Sequence, residues 1–270
     1  MASLEKVQAF WDRGSCGEIY GLGKEGQDKY AQVAKARYEL EPYLLPFARF
    51  EEANGKDVLE IGVGMGSDHQ RLAQACPRSL KGIDLTERAI EHTRARFEAF
   101  GLRSELAIGN AESLAFADNS FDFVYSWGVI HHSPDTRRAA QEILRVLRPG
   151  SIARVMIYHR RCPVGWMLWT RYALLCGKPW LGLDEIYSKY LESPGTKAYD
   201  VEEARALFVG ASMVETQVVP GMGDLLHGEA GQRHRGPLLT IGKLLWPRWL
   251  IKTISKRWAF GQVLLIEVKK

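Results

Sequence analysis

The stretch Asp57-Val58-Leu59-Glu60-Ile61-Gly62-Val63-Gly64-Met65-Gly66-Ser67-Asp68 decides how the rest of the chain is read. Val58, Leu59 and Ile61 form a short apolar run, the pattern of a parallel strand buried on both faces. Glu60 interrupts that run near its end. Glycines at 62, 64 and 66 follow, and then a helical pattern, with Leu72 and Ala73 on one face and Gln70, Arg71 and Gln74 on the other. Strand, glycine turn and helix predict the entry to a nucleotide site in a doubly wound α/β sheet. Glycine suits such a turn because the chain must bend tightly and leave bare backbone against a ligand.

The spacing is G-x-G-x-G rather than the dinucleotide G-x-G-x-x-G, and a carboxylate ends the strand. A helix N-terminus draws phosphate, but an acid aimed into the same turn repels phosphate and suits a cationic amine. S-adenosylmethionine carries such an amine and no phosphate. On these residues the sequence resembles the class I S-adenosylmethionine-dependent methyltransferases, whose first motif is E/D-x-G-x-G-x-G. The resemblance implies a seven-stranded, mostly parallel, Rossmann-like sheet. It also implies S-adenosyl-L-methionine as methyl donor and S-adenosyl-L-homocysteine as product.

Later stretches agree in order. Leu80–Leu85 ends in Asp84, about twenty residues past the glycines, the offset at which a carboxylate reaches ribose hydroxyls. Thr86 then reads as a helix N-cap. Gly109-Asn110-Ala111-Glu112 follows the strand Ser104–Ile108, where the family places a turn against adenine. Phe121–Ser126 runs into Trp127-Gly128-Val129-Ile130-His131-His132-Ser133-Pro134-Asp135, the fourth motif, where donor meets acceptor. Glu142–Gly150 reads as a helix end, stopped by Pro149 and Gly150, and Ile152–Tyr158 as the fifth strand. The match runs from about residue 55 to 160. Carried over residue by residue, it assigns cofactor contacts to Glu60, Gly62, Gly64, Gly66, Asp68, Asp84, Leu85, Asn110, Ala111, Glu112, Ser126 and Gly128.

The flanks are less informative. Residues 1–54 carry two helical patterns around a glycine-rich break; by resemblance they fold over the cofactor as a lid, with Tyr20 facing the site. Residues 55–270 make the methyltransferase domain, interrupted by an acceptor cap at 159–199 and a basic, Trp-rich insert at 220–260. Trp166, Trp169 and Trp180 in the first insert suit the wall of a hydrophobic acceptor pocket, or simply pack on the core. The second has no acid from Ala230 to Ile266, and Lys252, Lys256 and Arg257 fall among Trp249, Leu250, Ile251, Ile254 and Trp258. Peripheral membrane contact through 238–258, a homodimer face and a cover for the pocket all remain open for it. Asp200 reads as the N-cap of a further helix, and Val214–Val219 and Gln262–Val268 as the last strands.

The chain has 270 residues, 46% hydrophobic and 25% charged, with net charge +4. Such a mild excess does not call for nucleic acid. Cys16, Cys76, Cys162 and Cys176 form no C-x-x-C pair, so they read as reduced thiols of a cytoplasmic protein, peripheral to the inner face of a membrane if the basic insert docks there. The charged N-terminal stretch does not read as a signal peptide. Candidate bases for removing an acceptor proton are His131 and His132, then Tyr158, with Tyr20 from the lid. No metal-ligand spacing is visible. The Asn/Asp-Pro-Pro-Tyr tetrapeptide of base-directed amino methyltransferases is absent; Ser126-Trp127-Gly128-Val129 stands there. The expectation is therefore a small, hydrophobic or aromatic acceptor methylated on oxygen or carbon. Alternatives are a membrane-docked lipid or isoprenoid-quinone methyltransferase and a non-catalytic S-adenosylmethionine-binding subunit.

Overall fold

The computed structural model describes residues 3–227 and 246–270. Three helices come first, α1 (Leu4–Trp11), α2 (Gly26–Leu40) and α3 (Leu44–Ala48). Seven strands then build one sheet: β1 (Asp57–Ile61), β2 (Ser79–Asp84), β3 (Glu105–Ile108), β4 (Phe121–Trp127), β5 (Leu147–Tyr158), β6 (Met213–Val219) and β7 (Val263–Lys269). Their order is β3-β2-β1-β4-β5-β7-β6. The first five pair in parallel, and β7 runs antiparallel between β5 and β6. The winding direction reverses between β1 and β4, so a crevice opens at their carboxyl ends. This is the sheet expected from the sequence.

Alternation along β1 explains how its apolar run is covered on both sides. Leu59 and Ile61 join a core with α6 (Thr136–Val146) and α9 (Val201–Leu207). Val58 joins the opposite core with α3, α4 (Ser67–Gln74) and α5 (Glu87–Ala99). The predicted caps are formed: the Thr86 hydroxyl accepts from the Ala89 N–H, and Glu203 reaches back to the Asp200 N–H at 2.9 Å.

One boundary differs. α6 ends at Val146, and β5 begins at Leu147 rather than after a Pro-Gly stop. Leu147 is fully buried and pairs with Phe121, and Lys270 Nζ takes the carbonyls of Arg145 and Leu147 at 3.2 and 2.8 Å. Core burial thus straightens the chain before the proline. Pro149 and Gly150 fall where the β4–β5 register shifts.

The insert at 159–199 carries α7 (Pro163–Tyr172) and α8 (Leu183–Tyr190) around a small core of its own, which includes Leu168, Ile186 and Tyr187. Part of the basic insert, 228–245, lies outside the described residues, and with it His234, Arg233, Arg235 and Lys243. The helix α10 (Arg248–Trp258) starts just after Pro247; it buries Ile251 and Ser255 and exposes Trp249 and Trp258. Among the described residues no helix is long and apolar enough to cross a membrane.

Arg154 ties the N-terminal segment to the sheet. It is fully buried on β5 and donates to the Ala48 carbonyl at 2.6 Å, Glu52 at 2.7 Å and Glu267 at 2.9 Å. Arg154→Ala is expected to cost about 3–5 kcal/mol in denaturant unfolding, because it strands two carboxylates. Burial pushes Glu267 up, but Arg154 and Arg49 outweigh that and hold it below the ordinary carboxylate range. Its contribution is therefore complete above the unfolded carboxylate value and is lost as pH falls through the depressed folded value. The variant should show a weaker acid dependence than the wild type.

Candidate active site

A cavity of about 380 Å³ opens at the carboxyl ends of β1 and β4. Its floor is the glycine turn, with Glu60, Gly62, Gly64 and Asp68, together with Gly128 after β4. The N-terminal segment closes one side through Trp11, Tyr20, Arg37, Glu41 and Tyr43. Leu168, Arg171 and Glu192 of the 159–199 insert and Met222 and Leu226 beyond β6 close the other.

The two glycines on the floor serve different ends. Gly62 has φ +84°, and a Cβ there would stand 2.1 Å from Val129 Cγ2, so close packing requires it. Gly64 has φ +51°, and a Cβ there would meet nothing within 4 Å. Its bare face looks into open cavity, as a turn that cradles a ligand must. Asp84 braces this turn. Its carboxylate accepts from the Gly64 N–H at 3.1 Å and from the Thr86 N–H and hydroxyl at 3.0 Å each. Burial pushes its pKa up, against those hydrogen bonds.

Glu60 is buried and contacts His69 Nδ1 at 2.9 Å, while His69 Nε2 meets the Ser104 hydroxyl at 2.6 Å. Burial pushes Glu60 well up and His69 down to about 3, so the pair is held neutral. Asp68 accepts from Arg37 at 2.9 and 2.5 Å, and from the Tyr38 and Tyr125 hydroxyls at 3.2 and 2.9 Å.

Of the sequence-assigned residues, Glu60, Gly62, Gly64, Asp68, Gly128, Tyr20, His132 and Tyr158 line the cavity. Gly66, Asp84, Leu85, Asn110, Ala111, Glu112, Ser126 and His131 are not part of its wall. Gln8 of α1 donates to the Leu85 carbonyl at 3.1 Å, so the N-terminal segment crosses the end of β2. Asn110 Oδ1 accepts from the Glu112 N–H at 2.9 Å and shapes the turn there.

The two adjacent histidines part company. His131 is fully buried, neither ring nitrogen has a hydrogen-bond partner among the described residues, and burial drives its pKa well down. His132 faces the cavity, with Nδ1 2.8 Å from Ser193 Oγ and 3.0 Å from Thr196 Oγ1, and Nε2 3.5 Å from Glu192. The Tyr158 hydroxyl donates to Glu192 at 2.7 Å, and burial beside that carboxylate keeps it protonated. His131, His132 and Glu192 also bring ligand-type atoms within 4.8 Å of one another, a grouping with no spacing signal in the sequence.

Sequence reasoning missed Arg37, Glu41 and Glu192, which lie in the lid and the insert, far along the chain from the motifs. Of the two readings left open for the tryptophans, packing holds for Trp169 and the cavity wall for none of the three. Trp169 donates to the Leu181 carbonyl at 2.8 Å, Trp166 packs edge-on against it, and Trp180 is 75% exposed. Met167, Leu168 and Val164 line the cavity instead.

Residues 58–150 match the family described as a methyltransferase domain. An O-methyltransferase of Penicillium expansum, cnsE, is 29% identical over 73% of this chain and 69% of its own length. A demethylmenaquinone methyltransferase of Desulfitobacterium hafniense is 25% identical over 77% of this chain and 90% of its own. Residues 58–150 thus carry a methyltransferase domain, and the comparisons support the class I S-adenosylmethionine-dependent family. The fold of this methyltransferase is also that of phosphoethanolamine N-methyltransferase 2 of Haemonchus contortus, solved with S-adenosylhomocysteine. The TM-score is 0.61 at 18% identity, over 98% of this chain and 60% of that one.

Proposed function

We propose that the chain moves a methyl group from S-adenosylmethionine to oxygen or carbon of a small, hydrophobic or aromatic acceptor. The observation that carries this reading is the bare Gly64, open into a cavity whose floor holds a buried carboxyl, Glu60, set against the His69 ring. That combination fits a cationic amino acid end and disfavours a phosphate. When bound, the cofactor supplies a methyl group on a sulfonium, already activated for displacement. What remains for the protein is placement in a dry site, worth roughly 7–11 kcal/mol in favourable cases. Glu60 would take the amine, Asp84 would hold the ribose from behind the turn it braces, and Asn110, Ala111 and Glu112, beyond the cavity wall, would edge the adenine. Arg37, the lid cation on the cavity wall, faces the carboxylate of the same ligand. Tyr20, Trp127, Met167 and Leu226 shape an apolar chamber for the acceptor.

Calorimetry tests the reading. S-adenosylmethionine and S-adenosylhomocysteine are expected to bind one to one, and NAD not to bind. Because burial raises the Glu60 carboxyl and an ammonium calls for its ionised form, affinity should fall as pH is lowered. Tighter binding of NAD, or no binding of either sulfur compound, would overturn the proposal.

A further inference from the structure

We infer that Glu192 is the general base of this site, and that its acceptor carries an ionisable hydroxyl of phenol or enol type. The inference rests on the methyl-transfer reading and narrows it to oxygen methylation.

The loop after α8, Leu191-Glu192-Ser193-Pro194-Gly195-Thr196, clamps the His132 ring from both ends. Ser193 and Thr196 sit at Nδ1 and Glu192 at Nε2. A carboxylate beside Nε2 favours a proton on that nitrogen, which leaves the hydroxyls to serve Nδ1. His132 then donates toward Glu192 and is no free base itself. Tyr158 donates to the same carboxylate at 2.7 Å. Glu192 is thus aimed by the Tyr158 donor, with His132 Nε2 3.5 Å away, and stands a quarter exposed on the wall of the cavity. Glu41, a carboxylate on the opposite, N-terminal side of the cavity, is engaged differently. It lies 3.4 Å from Arg37 and accepts from Tyr43 and Trp127. His131, with both nitrogens enclosed and outside the wall, cannot reach an acceptor.

A carboxylate with lone pairs to spare in an apolar chamber binds a group that brings a proton. The acceptor hydroxyl gives its proton to Glu192. Its oxygen keeps the electron pair and forms the new bond to the methyl carbon as the carbon–sulfur bond breaks, so the sulfonium charge and the oxyanion charge cancel. His132 and Tyr158 are positioning residues; Glu192 alone touches the reacting atom.

The test uses 4-nitrophenol and its methyl ether, 4-nitroanisole, which differ in the proton. Both are titrated calorimetrically into the protein, with and without S-adenosylhomocysteine. Wild type is expected to prefer the phenol by roughly tenfold or more, the value of a charge-assisted hydrogen bond. Glu192→Gln should lose most of that preference while binding S-adenosylhomocysteine as wild type does. Equal preference in wild type and Glu192→Gln, or no binding of either probe, overturns the inference. A preference abolished by EDTA also overturns it and gives Glu192 to a divalent cation shared with His131 and His132. Failure to bind S-adenosylhomocysteine sinks the parent reading instead, and the comparison on the unliganded protein still decides the role of Glu192.

Discussion

Asp84→Ala should abolish measurable cofactor binding and lower the unfolding free energy by about 2–3 kcal/mol. The two losses share a cause. One oxygen of Asp84 holds the Gly64 N–H, and the other holds the backbone and hydroxyl of Thr86. Alanine leaves those groups without partners next to the turn whose open face must receive the ligand. Asp84→Asn separates the parts. Its amide has one oxygen, so it can serve Thr86 or Gly64 but not both, and it presents an N–H2 group on the other side. Stability should fall by about 1 kcal/mol while affinity still drops at least roughly tenfold. Denaturant unfolding and calorimetry on the same samples read both effects. An Asp84→Ala protein that binds S-adenosylmethionine as tightly as wild type would remove Asp84 from the ribose and the brace together.

The sheet was legible because its signals are local. The apolar run of β1, the alternate glycines and the acid at 84 lie within twenty-eight residues, and each has one physical use. Glu60 was legible as an acid in the turn, although its partner His69 was not, since nothing in the spacing tells a helix histidine inside from one outside. The end of α6 was misread because Pro-Gly marks a helix stop and a strand irregularity equally well; the buried Leu147 decided between them. Arg37 and Glu192 were illegible for a stronger reason. Arg37 meets Asp68 thirty-one residues on, and Glu192 meets His132 from an insert sixty residues later. No periodicity spans such distances. The Trp-rich insert left two readings open because aromatic density is the same for a pocket wall and for a packed cap.

The lid supplies the second large effect. Arg37→Ala should cost about 3 kcal/mol and free residues 3–54 to proteases, with cofactor affinity falling in step. Arg37 grips both oxygens of Asp68, which is 4% exposed at the first turn of α4, and lies 3.4 Å from Glu41. Without it Asp68 keeps only the Tyr38 and Tyr125 hydroxyls, so the cost sits at the low end for a broken buried pair. Burial already pushes the Glu41 carboxyl up, and Arg37 opposes that ahead of Trp127 and Tyr43, so without it the repulsion between Glu41 and Asp68 would go unscreened. Arg37→Lys keeps the charge but not the fork, and should fall between. The double variant Arg37→Ala/Asp68→Asn decides what Arg37 is for. Removing the orphaned charge should restore most of the stability and the protease resistance. If affinity returns as well, Arg37 acts only by holding the lid. If affinity stays low while the lid is closed, the guanidinium itself meets the cofactor.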